Sequence, residues 1–198
     1  MGSLEALLSL STIIQSELFV RGDDLWSDEV FLGLRLNPIA HRLLSTPSAT
    51  RTRTDAPKHR VLEVARLGAL LFIIWIKKKS RTYPGSRATT SYWTSALDFL
   101  GDTRVEGSLL GVASLASLNL WVLVLCALTS ENPAHQDKAL RLIARIKVEQ
   151  NVSSWEAVVE RVRSMPWVGK LEASTSWMER KLEEMETQYV ASRAFPSN

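Results

Sequence analysis

The stretch LLGVASLASLNLWVLVLCAL, residues 109–128, carries no charged side chain over twenty positions, and Asn119 is its one strongly polar group. A helix that is apolar on every side must be buried, either inside a protein or in a bilayer. The reading therefore turns on whether the rest of the chain can cover it.

Downstream the cover is easy to find. Asn132-Pro133 has the form of a helix start, with Asn as cap and Pro in the first turn. Ala139, Leu142, Ile143 and Ile146 then recur at i, i+3, i+4 and i+7, with Lys138, Arg141, Arg145 and Lys147 on the outer face. Ser153 and Glu156 form a capping-box pattern ahead of Trp155, Val158, Val159 and Val162. Met165-Pro166 ends that helix, and a last one runs from about Leu171 to Tyr189 with Leu171, Met178, Leu182, Met185 and Tyr189 on one stripe.

Upstream, Lys58 to Ile76 forms a second strongly apolar helix through Val61, Val64, Ala65, Gly68, Leu71, Phe72 and Trp75. Gly68 costs roughly 1 kcal/mol in a helix interior relative to Ala, which a close helix crossing offsets. A helix from Thr90 or Ser91 carries Tyr92, Trp93, Ala96, Leu97 and Leu100 and stops at Gly101. Residues 4–20 place Leu4, Leu7, Leu8, Ile14 and Leu18 on one side, and Ser27 caps a short helix with Val30, Phe31 and Leu34. Asn37-Pro38 then opens a further helix with Ile39, Leu43 and Leu44 inward. No strand-like alternation and no repeat appears. The expectation is an all-α, single-domain multi-helix bundle around the central helix 109–128. Its parts are an N-terminal amphipathic segment (1–35), a helical domain (36–190) with an exposed loop at 45–57, and a tail (191–198).

A membrane reading is the alternative, with two spans and Lys77 to Lys79 as a cytoplasmic stop. Only ten uncharged residues separate Arg66 from Lys77, and a span needs about 20. The 109–128 stretch reaches that length but holds Gly111, Ser114, Ser117 and Asn119 in its first half. The core reading is preferred, with a small helical membrane-associated protein as the competitor.

The residues point to no reaction chemistry. His41, His59 and His135 are scattered, with no ligand spacing for zinc. Cys126 is the single cysteine and sits in an apolar run that raises its pKa. The chain therefore builds no disulfide framework, and a nuclear or cytoplasmic location is expected. No catalytic residue, metal site or cofactor is assigned. Two polar features stand out. Lys77, Lys78, Lys79 and Arg81 form a candidate nuclear-localisation or phosphate-contacting patch, against the plainer role of cations at a helix C-terminus. Asn119 is a candidate buried polar or ligand position, since a buried amide must find partners. Trp75, Trp121, Trp155 and Trp177 fall on or beside apolar stripes and are assigned to the core, whereas Trp93 and Trp167 flank turns.

Several of these segments, taken in order, resemble a known family. Arg66 to Phe72 (RLGALLF), Leu120 to Leu125 (LWVLVL), Val152 to Val159 (VSSWEAVV) and Met165 to Val168 (MPWV) are similar to the C-terminal half of the fungal-specific transcription factor domain. That domain is the helical regulatory region behind zinc binuclear-cluster DNA-binding modules, and the likeness covers roughly residues 36–180. The zinc cluster needs six cysteines and this chain has one. The resemblance thus implies a non-enzymatic regulatory or interaction module, with protein partners and an unidentified small-molecule effector. Neither zinc nor specific DNA binding carries over.

Overall fold

The computed structural model describes residues 3–46, 57–82, 87–101, 112–169 and 171–194. Among these, the chain forms eight α-helices and no strand: α1 (Ser3–Arg21), α2 (Glu29–Ser45), α3 (Pro57–Lys79), α4 (Arg87–Gly101), α5 (Ala116–Thr129), α6 (Pro133–Glu149), α7 (Trp155–Arg163) and α8 (Leu171–Ala194). The all-α multi-helix reading holds. The expected loop at 45–57 falls largely outside the described residues.

The apolar stretch is shorter as a helix than its length suggests. Residues 109–111 lie outside the described residues, Val112 is extended, and Ala113–Leu115 form a 3₁₀ turn closed by the Leu115 N–H on the Val112 carbonyl. The α-helix begins at Ala116. Serine side chains compete for backbone groups and weaken the start of a helix, and Ser114 and Ser117 flank this one. From Ala116 to Thr129, only Ser117 and Leu128 are not fully buried. α5 touches α3, α4, α6 and α7, while α8 lies on α6, and α1 and α2 pack on each other and on α3. No helix among the described residues is long and apolar enough to cross a membrane.

α3 and α5 approach most closely at Gly68. A methyl group placed there would lie 2.5 Å from Trp121 Cζ3 and 2.6 Å from Val122 Cγ2. The absence of a side chain at Gly68 is what lets the Trp121 ring pass. The glycine expected to mark a close crossing does so.

Other expectations about register need correction. α2 does not restart at Asn37-Pro38 but runs straight through, with Pro38 in its interior. Pro38 lacks the N–H that would bond the Leu34 carbonyl, and Leu34 is 73% exposed, so water reaches that carbonyl. The true cap is Asp28, whose carboxylate accepts from the Phe31 N–H at 2.9 Å and from Arg21 at 2.9 Å. These two bonds hold the Asp28 carboxyl below its ordinary pKa. The buried face is accordingly Leu32, Leu36 and Leu43, with Val30 and Leu44 turned outward. The boundary drawn at 35/36 falls inside this helix. In α1 the buried stripe is Leu7, Leu10 and Ile14, and Leu8 faces solvent.

In α7 the cap is Ser154, not Ser153: its hydroxyl accepts from the Ala157 N–H. Trp155, Val158, Val159 and Val162 are buried as the spacing requires. Asn132 caps α6 through the Ala134 N–H at 3.0 Å. Within α6, Leu142 is half-buried while Leu140 and Lys147 are buried. Lys147 belongs inside because its ammonium meets Glu186 of α8. A second pair, Lys181 to Asp137 at 2.5 Å, ties the same two helices. α8 itself continues to Ala194, beyond the point where a tail was expected.

Candidate functional site

The C-terminal turn of α3 brings the basic cluster and Trp75 to one end of the bundle. The helix stops because Arg81 takes a left-handed backbone (φ 55°), while the Ser80 and Thr82 N–H groups bond the Ile76 and Lys77 carbonyls at 3.0 Å each. Ser80 is buried beneath the turn and shares a hydrogen bond with Thr82.

The four basic residues do not act together. Lys78 reaches the Thr129 carbonyl at 2.7 Å and Glu131 at 2.8 Å, placing its charge at the C-terminus of α5, where a cation is favoured. This contact holds the Glu131 carboxyl below its usual range. Lys77 donates to Asn37 of α2 at 3.3 Å. Arg81 faces solvent. Lys79 turns the other way and lays its ammonium over the Trp75 ring, 5.9 Å from the centroid. The single basic patch suggested by adjacency in sequence is divided over four surroundings.

Lys79 and Trp75 line a cleft of about 610 Å³, within the roughly 300–1,000 Å³ typical of small-molecule sites. Its other walls come from the end of α1 (Gln15, Leu18, Phe19), the following 3₁₀ turn (Asp23, Trp26) and Val168-Gly169. Two glycines at positive φ shape it, Gly22 (59°) and Gly169 (79°), a backbone region that suits glycine. The Gly169 N–H donates to Gln15 Oε1 at 2.8 Å, pinning the 165–169 segment to α1. Trp167 packs against Trp75 with ring centroids 4.7 Å apart and planes tilted by 34°.

Asn119 is buried in α5 and engaged by its surroundings, but it does not line this cleft. Trp75, Trp121 and Trp155 are buried, whereas Trp177 is half-buried beside Met178 and Leu182. Trp93 lies in α4, within the helix expected from Thr90 or Ser91, and is buried; its indole donates to Thr129 Oγ1 at 2.7 Å, whose hydroxyl bonds the Leu125 carbonyl at 2.6 Å. The sequence singles out Trp75 as a core residue and Lys79 as part of a basic patch, and does not single out Phe19, Asp23, Trp26 or Gln15. The last four come from a separate part of the chain, and only folding unites them with α3.

Cys126 is fully buried in α5, and desolvation pushes its thiol far above the ordinary range. Native protein is expected to resist iodoacetamide at mildly alkaline pH and to label fully once denatured. Fast native labelling would show that α5 opens to solvent.

Among the described residues no three His, Cys, Asp or Glu side chains converge as a metal site requires. No protein-family model matches the chain, and no characterised protein or solved structure gives a significant match.

Proposed function

We propose that this chain is a non-enzymatic α-helical regulatory and interaction module similar to the fungal transcription factor regulatory domain, acting in the nucleus or cytoplasm without a zinc cluster of its own. One observation supports the reading. Three of the segments that carry the resemblance meet at a single indole: Trp121 of α5 fills the notch at Gly68 of α3 and donates to the Pro166 carbonyl at 2.9 Å. They are parts of one packed unit rather than independent apolar patches. Its partners are other proteins, and the cleft at the end of α3 is the place for a small-molecule effector.

The test is tethering. Fused to an unrelated DNA-binding module, the chain is expected to change expression of a reporter carrying that module's site, and Trp121→Ala is expected to abolish the effect. A fusion that is stably expressed yet leaves the reporter unchanged would overturn the proposal.

DNA binding by the chain itself is not part of this function. Lys77 and Lys78 are engaged by Asn37, Thr129 and Glu131, and Lys79 by Trp75. Base readout needs an element that presents donors to a groove. Phosphate contacts alone give binding in the ~10⁻⁴–10⁻⁶ M range that fades with salt. In a mobility-shift titration near physiological salt with excess competitor, no discrete complex is expected. A competitor-resistant shift at nanomolar protein would refute this.

A further inference from the structure

The α3 cleft holds two opposite charges that do not meet. Lys79 and Asp23 both line it, yet neither forms an ion pair or hydrogen bond among the described residues; Lys79 rests only on the Trp75 ring. Trp26, Phe19 and the edge of the buried Trp75 share the lining with them. Phe19 is 91% exposed.

We propose that this cleft binds a small zwitterion with an aromatic body, of the aromatic α-amino acid class. The inference rests on the cleft being the effector site of the proposed module. A ligand carrying only a carboxylate satisfies Lys79 but strips water from Asp23 without giving it a partner; a ligand carrying only an amine does the reverse. A zwitterion answers both charges at once, and its ring packs against the half-buried Trp26 indole and the exposed Phe19 phenyl, the Trp75 ring being buried beneath Lys79. The adjacent Gln15 amide is fixed by the Gly169 N–H, so that wall is ordered before a ligand arrives.

Calorimetric titration of the full chain with L-phenylalanine, 3-phenylpropionate and phenethylamine tests this. Phenylalanine is expected to bind at least about tenfold more tightly than either singly charged analogue. Lys79→Gln is expected to remove the advantage over phenethylamine, and Asp23→Asn the advantage over 3-phenylpropionate. Both side chains are exposed and neither has a polar partner among the described residues, so both variants should melt close to the parent, checked by circular dichroism. Absence of heat with millimolar phenylalanine, analogues that bind equally well, or charge variants indistinguishable from the parent would each overturn the proposal. If the titration fails while the tethered reporter still responds, the ligand class falls and the module stands. If the titration succeeds and the reporter is silent, the binding site stands and the regulatory reading falls.

Discussion

Trp121→Ala is expected to lower the unfolding free energy by about 3–5 kcal/mol, through lost burial and the cavity left behind. The ring is fully buried, lies against Phe72 with centroids 6.2 Å apart, and fills the notch at Gly68. Its truncation also leaves the Pro166 carbonyl without the indole donor, and a buried acceptor in that state costs about 1–3 kcal/mol. Trp26→Ala, at the half-buried wall of the cleft, is the matched control and should cost much less. Denaturant titrations of the two variants, analysed as midpoints at constant slope, read the difference. Equal midpoints would show that the bundle is not centred on α5.

Gly68→Ala is the second large effect, and its sign runs against helix propensity. Alanine favours an exposed helix interior over glycine by about 1 kcal/mol. Here the new methyl would sit 2.5 Å from the Trp121 ring and 2.6 Å from Val122, inside contact distance with two fully buried side chains. Neither is the free end of a flexible chain, so α3 and α5 must move apart. Overpacking of this kind costs about 1–3 kcal/mol and occasionally more, which outweighs the propensity gain. The diagnostic is the double variant. Trp121→Phe removes ring atoms from the notch, so Gly68→Ala with Trp121→Phe should be less destabilised than the sum of the two single changes. Additive losses would mean that the two residues do not share a contact. A more stable Gly68→Ala would refute the close crossing outright.

Which helices form, and roughly where, was legible along the chain because helical burial leaves a local period. α3, α6 and α7 carry their inner residues at i, i+3, i+4 and i+7, and Asn132-Pro133 announces its helix through cap chemistry that depends only on neighbours. The charge-free run around Trp121 called for a helix covered on every side, and Gly68 pointed to a close crossing that offsets its cost in a helix interior. Where several apolar residues compete for the inner face, periodicity alone cannot choose. Leu32 and Leu36 of α2 were buried in place of Val30 and Leu34, because Asp28 rather than Ser27 set the cap and Pro38 fell on a face that water reaches. Lys147 went inside because Glu186, about forty residues on, was there to meet it. The cleft lay further still from local reading. Lys79 and Trp75 share a helix with Lys77 and Lys78, but Asp23, Phe19 and Gly169 reach them from remote parts of the chain. Local spacing dictates helix, cap and burial, since those interactions span one or two turns. The division of the basic cluster and the meeting of Lys79 and Asp23 with Trp26 and Phe19 in one cleft depend on how α1 and the 165–169 segment dock on α3, and only the tertiary structure decided that.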